Sequence, residues 1–265
     1  MDAAVPAAIA AACRAAFAAA ARVCVLTGAG MSAESGVPTF RGGGDSLWSR
    51  FDPRVLATAD AWRRDPALVW AWYRWRMHLV GQARPHAGHF ALAELGRCHG
   101  QALSLVTQNV DDLHERAGSE VQAHVHGSLF ALRCFDCGQA YDRPLPDYEP
   151  GLERIAPPAC VACGGGVRPG VVWFGEALPE AAWRIAVGCA TGCALMLVVG
   201  TSGLVHPAAG LPALARRNGA MVVEINPEPT ALSDTVDHAW RANAADALPR
   251  LLALHPAAPR AGAAD

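Results

Sequence analysis

Val23-Cys24-Val25-Leu26-Thr27-Gly28-Ala29-Gly30-Met31-Ser32-Ala33 joins a short apolar run to a Gly-x-Gly-x-x-Ala turn and then to a helical start. Glycine at such a turn lets the backbone approach a pyrophosphate, and the unbonded N–H groups opening a helix attract the anion. A purely steric turn, glycine-rich for packing alone, is the competing reading. Further apolar runs follow at Leu103 to Thr107, Val121 to Val125, Ala194 to Gly200 and Ala220 to Asn226. Helical patterns lie between them: Arg14 to Ala21 at the end of an Ala-rich first helix, His86 to Cys98, Pro179 to Ala190, Pro207 to Asn218, and Asp246 to Leu254. Strands alternating with helices predict an α/β fold, a Rossmann-like doubly wound parallel sheet covered on both faces.

Two stretches break the alternation. Residues 45–85 contain the capped helix start Asp65-Pro66 and then the aromatic series Trp70, Trp72, Tyr73 and Trp75, which reads as a helical insertion. Residues 130–169 are rich in Cys, Gly and Pro and read as a small zinc-binding module, a four-Cys ribbon. The large dinucleotide-binding domain is then expected from 1–44, 86–129 and 170–265. After Glu34 the chain runs through Gly36, Pro38 and Gly42-Gly43-Gly44, too Gly- and Pro-rich for a regular crossover. That stretch is expected to form a flexible lid, a departure that argues against hydride transfer.

Composition narrows the function classes. With 52% hydrophobic and 17% charged residues the chain is globular, not disordered. Its 22 basic residues, all Arg, are scattered against 24 acidic ones, which gives no electrostatic footprint for nucleic acid or an anionic membrane. The Ala-rich start is interrupted by Cys13, Arg14 and Arg22 and reads as a first helix, not a signal peptide or a span. Four of the nine cysteines form Cys134-x-x-Cys137 and Cys160-x-x-Cys163, a spacing that belongs to a metal site in a reducing compartment, and a cytoplasmic location is expected. Four thiolates fill a tetrahedral Zn2+ shell and leave no place for water, so the metal is expected to be structural; redox dithiols or a chance spacing are the competing readings. Cys13, Cys24, Cys98, Cys189 and Cys193 read as small core residues.

Thr107-Gln108-Asn109-Val110-Asp111-Asp112-Leu113-His114 opens where a strand ends, the place at which open α/β sheets bind ligands. Its side chains suit ribose hydroxyls and a carboxamide, or else simply cap a helix. At the next strand end, His124 and His126 lie on one side by alternation.

Taken in order, these motifs, with Ser32 to Arg41, His126-Gly127, Val171-Val172-Trp173-Phe174-Gly175-Glu176, Gly200-Thr201-Ser202 and Asn226-Pro227-Glu228, closely resemble the sirtuins, NAD-dependent protein lysine deacylases. The resemblance covers about Ala21 to Leu252. It implies NAD+ as a consumed co-substrate, acylated lysine in proteins or peptides as the partner, and His126 as the general base. Asn109 and Asp111 would hold the nicotinamide carboxamide, Ser32 and Gln108 the ribose, and Gly28, Ala29, Gly30, Thr201, Ser202, Asn226 and Glu228 the phosphates and adenosine. Thr39, Phe40, Arg41, Trp48, Gly200 and Ala245 complete the implied dinucleotide site. Val172, Trp173, Phe174, Gly175 and Glu176 would pair with the substrate backbone as an added strand.

Tyr73-Arg74-Trp75-Arg76 matches the Tyr-x-x-Arg signature of the sirtuin class that removes succinyl and malonyl groups, and Ala57 matches the small residue that leaves that pocket open. Positions i and i+3 share a helix face, so Tyr73 and Arg76 can converge on one carboxylate; a surface Arg beside a core aromatic is the structural alternative. Three departures from related sequences stand out: Gly170 after Arg-Pro, His206 before Pro-Ala-Ala, and the glycine-rich 42–45. Two other functions share some of these features. An NAD oxidoreductase would share the glycine turn, and a zinc-ribbon adaptor the cysteine pairs.

Overall fold

The computed structural model describes residues 4–38 and 52–259. Thr39, Phe40, Arg41 and Trp48, and the glycine-rich 42–45, lie outside the described residues.

The helices are α1 (Ala7–Ala18), α2 (Gly30–Ala33), α3 (Pro53–Leu56), α4 (Ala59–Arg64), α5 (Pro66–Gln82), α6 (Ala87–His99), α7 (Leu113–Arg116), α8 (Glu180–Gly192), α9 (Leu211–Arg217) and α10 (Ala244–Leu252). The strands are β1 (Val23–Thr27), β2 (Leu103–Thr107), β3 (Ala123–His124), β4 (Gly127–Cys134), β5 (Val167–Val171), β6 (Leu195–Val199), β7 (Met221–Ile225) and β8 (His238–Trp240). Six strands form one parallel sheet in the order β3-β2-β1-β6-β7-β8. The order reverses between β1 and β6, the switch point at which a Rossmann-like sheet opens a crevice beyond its strand ends. β1, β6 and most of β2 are buried on both faces, as their unbroken apolar composition demands.

One face of the sheet packs on α1, α6 and α10 through Phe17, Leu92, Leu95, Leu248 and Leu251. The other packs on α8 and α9 through Ala186, Ala190, Leu211 and Ala215. A third core joins α4 and α5 to Leu129, Val171 and Trp173. Asp65 caps α5 by accepting from Leu68 N at 3.0 Å, with Pro66 in the first turn, where its missing N–H costs nothing. β4 and β5 pair antiparallel as a separate two-stranded sheet beside the cysteines. Among the described residues no helix is long and apolar enough to cross a membrane.

Several elements differ from their sequence reading. The helix after the glycine turn is a single turn, so its dipole contributes little to anion binding. The run Val121 to Val125 keeps only Ala123–His124 as strand, although Gln122 N and Val125 N continue to bond Leu105 O and Thr107 O. Pro207 to Asn218 divides into a 3-10 turn, Ala208–Gly210, and α9. Pro212 lacks an N–H and is tolerated only in a first turn, which is why the α-helix begins at Leu211. Edge strand β8 was not expected, because its three residues are too few to show a pattern.

Candidate active site

Two loops meet at the switch point. Gly28 N donates to Val199 O at 3.0 Å and Gly30 N to Gly200 O at 2.7 Å. A Cβ at Gly28 would lie 2.8 Å from Thr201 Cα, and one at Gly30 2.8 Å from Gly200 Cα. Gly200 itself has a φ of 63°, and its Cβ would lie 2.3 Å from Met31 N. The glycines therefore serve first to bring two backbones together, and the crevice floor that results is backbone on both sides.

Over this floor stands a polar chain. Asn109 Nδ2 donates to Ser32 Oγ at 3.0 Å, and Ser32 Oγ donates to Asp111 Oδ2 at 2.8 Å. Ser32, Asn109 and Asp111 are all buried. Burial raises the Asp111 pKa, while the bonds from Ser32 and Leu113 N partly offset it. Gln108 Nε2 donates to Thr201 Oγ1 at 3.0 Å and so ties the end of β2 to the end of β6. Asn226 Nδ2 donates to Thr201 O at 3.1 Å, and Glu228 N to Asn226 Oδ1 at 3.4 Å. Ser202 is half-buried in the same loop. Ala245 lies at the start of α10, where its amide donates to Glu34 Oε2 at 2.9 Å; Ala29 is the residue before α2.

The two strand-end histidines are shifted in opposite directions. His126 Nδ1 donates to Gln108 O at 3.1 Å, which places its proton there and leaves a lone pair on Nε2. Burial lowers its pKa, with the Gln108 bond in partial opposition, so the ring is a neutral base at pH 7. His124 contacts Asn109 O at 3.3 Å through Nδ1 and Glu115 Oε1 at 2.5 Å through Nε2. Burial opposes its charge, but the Glu115 carboxylate outweighs that and raises its pKa. His124 is a clamp, and His126 is the ring with a free lone pair.

Cys134, Cys137, Cys160 and Cys163 converge, with all four sulfurs within 4.8 Å of one another. Cys134 and Cys163 are 3.5 Å apart and Cys137 and Cys160 3.7 Å. A tetrahedral zinc with Zn–S bonds of about 2.3 Å requires about 3.8 Å, so the set fits a structural zinc. Each pair is a tight knuckle: Gly138 N donates to Cys134 O and Gly164 N to Cys160 O, with both glycines at positive φ.

The profile of the Sir2 family matches residues 28–207. An NAD-dependent protein deacylase of Mycobacterium tuberculosis (strain ATCC 25177 / H37Ra) is 53% identical over 237 residues, covering 89% of this chain and 98% of its own length. The chain belongs to the Sir2 family. NAD-dependent protein deacylase 2 of Pyrobaculum aerophilum is 51% identical over 230 residues, covering 86% of this chain and 88% of its own. A solved complex of a Sir2 homologue with NAD superposes with a TM-score of 0.80 at 43% identity, covering 90% of this chain and 91% of that one. A Sir2–p53 peptide–NAD+ structure gives 0.73 at 29% identity, covering 88% and 92%.

In this Sir2-family chain Ala57 and α5 pack against the segment that carries Trp173. Ala57 is buried and its carbonyl accepts from Phe174 N at 2.9 Å. Tyr73 is buried, and Trp173 Nε1 donates to its hydroxyl at 2.7 Å, leaving the Tyr73 proton to be donated elsewhere. The Arg76 guanidinium lies 5.9 Å from the Tyr73 ring centre and 4.9 Å from that of Trp72. Burial lowers the Arg76 pKa, while Tyr73 and Asp111 favour its charge. The Arg76 charge is thus within electrostatic reach of Asp111 in the Ser32–Asn109–Asp111 chain.

The segment 172–176 is less open than an added-strand edge requires. Val172 N donates to His126 O, Trp173 N to Glu176 Oε2, Phe174 N to Ala57 O, and Glu176 N to Trp173 O. The segment turns at Gly175, φ 87°, instead of running straight. Glu176 is also bound to a residue that sequence reasoning passed over. Arg168 is 2% exposed, stacks 3.2 Å over the Trp173 ring and pairs with both Glu176 oxygens. Glu224, fully buried, receives Arg241 Nη1 at 2.9 Å, and the same atom donates to Glu228 O at 3.1 Å, which fixes the Asn226–Glu228 loop. An acid inside the apolar run Met221–Ile225 was the available signal for that pair.

Proposed function

We propose that this protein is an NAD+-dependent protein lysine deacylase that takes acidic acyl groups, succinyl and malonyl, as well as acetyl. The observation that carries the reading is His126, neutral and with Nε2 unprotonated, beside the buried Ser32–Asn109–Asp111 chain at the switch point. NAD+ bound here would supply an electrophilic ribose carbon, with nicotinamide as the leaving group and the acyl oxygen of the substrate as the nucleophile. The chain's own residues then have distinct tasks. Asn109 and Asp111 present a donor and an acceptor to the carboxamide, a pairing that a buried amide needs on both its atoms. Ser32 and Gln108 orient the ribose, and the floor built by Gly28, Ala29, Gly30, Gly200 and Thr201, with Ser202, Asn226 and Glu228, takes phosphates and adenosine. His126 Nε2 removes a proton from a ribose hydroxyl, and its hydrogen bond to Gln108 O holds the ring in the tautomer for that step.

Thr39, Phe40, Arg41 and Trp48 belong to the same dinucleotide site in this reading, as does Ala245 by way of its position at the start of α10. The peptide is taken along 172–176. Most amides there are already engaged, so its carbonyls carry the pairing. Tyr73 and Arg76 receive the carboxylate of an acidic acyl chain. None of the nine cysteines is in a disulfide, which suits zinc in a reducing cytoplasm.

Incubation with NAD+ and succinyl-, malonyl- or acetyl-lysine peptides, followed by mass analysis, tests the reading. Nicotinamide, free lysine and O-acyl-ADP-ribose are the expected products. Reduction of NAD+ in place of nicotinamide release would overturn it in favour of hydride transfer.

A further inference from the structure

Behind the carboxamide-binding residues lies a group of histidines that the proposed chemistry does not use. Their proton positions follow from their partners. His86 Nδ1 accepts from Gly88 N at 3.0 Å, so its proton sits on Nε2 and is donated to Met31 O at 2.7 Å. His89 Nδ1 accepts from His86 N at 3.3 Å, so its proton also sits on Nε2. That N–H is buried and meets no partner at hydrogen-bond distance among the described residues. The ring centre of His114 is 5.1 Å from that of His89, and its Nδ1 is likewise buried and unpaired. Both residues are at most 1% exposed.

On its other side His114 Nε2 lies 3.0 Å from Thr27 Oγ1. Thr27 Oγ1 donates to Thr107 Oγ1 at 2.8 Å, and Thr107 Oγ1 accepts from Asn109 N at 3.0 Å. A hydroxyl has one proton. Since Thr27 gives its proton to Thr107, it accepts from His114, whose proton is then on Nε2 with a lone pair on Nδ1. The two unpaired atoms are therefore a donor and an acceptor. The reverse direction would set two N–H donors against each other in a buried space, at the cost of desolvating both.

We propose that His89, His114, Thr27 and Thr107 form one directed hydrogen-bond chain that positions Asn109, closed between His89 Nε2–H and His114 Nδ1 through one enclosed water. The inference rests on the reading of Asn109 as a carboxamide-binding residue. Asn109 is then held at both ends, its backbone N–H by Thr107 and its side chain by Ser32 and, through it, Asp111. Burial pushes His89 down to about 2 and His114 down to about 4, so neither ring gains a proton at neutral pH and the direction of the chain is fixed. The four side chains act through Asn109 and touch no substrate.

The test separates nicotinamide recognition from adenosine recognition. Thr27→Val keeps the shape of a fully buried residue and removes the central hydroxyl. It should weaken nicotinamide inhibition by about fivefold or more, while the ADP-ribose Kd stays within about twofold. His114→Leu should do the same, His114→Gln, which keeps an N–H toward Thr27, should recover part of the loss, and the Thr27→Val/His114→Leu double variant should be no worse than either single one. Asn109→Ala serves as the reference. If it weakens nicotinamide inhibition and Thr27→Val does not, the chain is refuted while the reading of Asn109 stands. If Thr27→Val weakens ADP-ribose and nicotinamide equally, its role is general packing and the inference fails. If Asn109→Ala has no effect, the reading of Asn109 falls and takes the inference with it.

Discussion

Replacing Arg76 by Met removes a cation and keeps the length of an unbranched side chain in α5. The Tyr73 hydroxyl already accepts from Trp173 Nε1 at 2.7 Å, so its own proton is available to an acyl carboxylate, and the Arg76 guanidinium lies on the same helix face. On the proposed reading, a succinyl carboxylate reaching the pair would gain charge-assisted hydrogen bonds of about 1.5–3 kcal/mol from Arg76, equivalent to about ten- to a hundredfold in affinity. An acetyl group, shorter by two carbons and without the carboxylate, would gain none of it. Arg76 also favours the ionised form of Asp111 by proximity, so its loss touches both substrates a little through Asp111. The ratio of the succinyl to the acetyl kcat/KM isolates the acyl contact. Steady-state kinetics on a matched peptide pair should show that ratio falling about tenfold or more in Arg76→Met, mostly through the succinyl KM, because the contact holds ground state and transition state alike. Tyr73→Phe should lower it less, since only one neutral donor is lost, with a stability cost from leaving the Trp173 N–H unpaired. An unchanged ratio in Arg76→Met, with both activities depressed together, would refute the acidic-acyl assignment and make Arg76 a support for Asp111.

Three further outcomes can be checked. His126→Ala should lower kcat by about a hundredfold or more with an unchanged melting temperature; for the native enzyme the acidic limb of the kcat–pH profile should lie below 6.5, because burial lowers the pKa of the base and the rate is lost only as pH falls through that depressed value. Removal of zinc, or Cys134→Ser, should lower the melting temperature and abolish turnover indirectly, since the metal closes two knuckles around the β4–β5 sheet; an apoprotein with full activity and full Tm would contradict this. Glu176→Gln should destabilise by about 3 kcal/mol in urea titrations, because it leaves the buried Arg168 cation with a neutral partner. Burial alone would raise the Glu176 pKa, but the bonds from Arg168 and Trp173 N bring it below the ordinary glutamate value, so this contribution is complete above pH of about 4.3 and disappears as pH falls through the lower folded-state value.

The sequence determined the elements whose signal is local. Val23–Thr27 and Leu103–Thr107 are strands because short, mostly apolar runs suit a sheet covered on both faces, and Asp65-Pro66 starts α5 because the cap and the fixed φ act within one turn. The metal cluster was legible for the same reason: four thiolates at Cys-x-x-Cys spacing need only two knuckles to be brought together. What the tertiary structure decided is everything that depends on which groups meet across the fold. Gly28 and Gly30 owe their identity to Gly200 and Thr201, far along the chain, and no local pattern shows a missing Cβ filled by another backbone. His124 and His126 are indistinguishable by local pattern, and only the Glu115 carboxylate, which favours charge on one, and burial against the carbonyl of Gln108, which leaves the other a base, set them apart. The Arg168–Glu176 and Glu224–Arg241 pairs and the His89–His114 contact are invisible to periodicity, because charge and tautomer are set by burial and by partners.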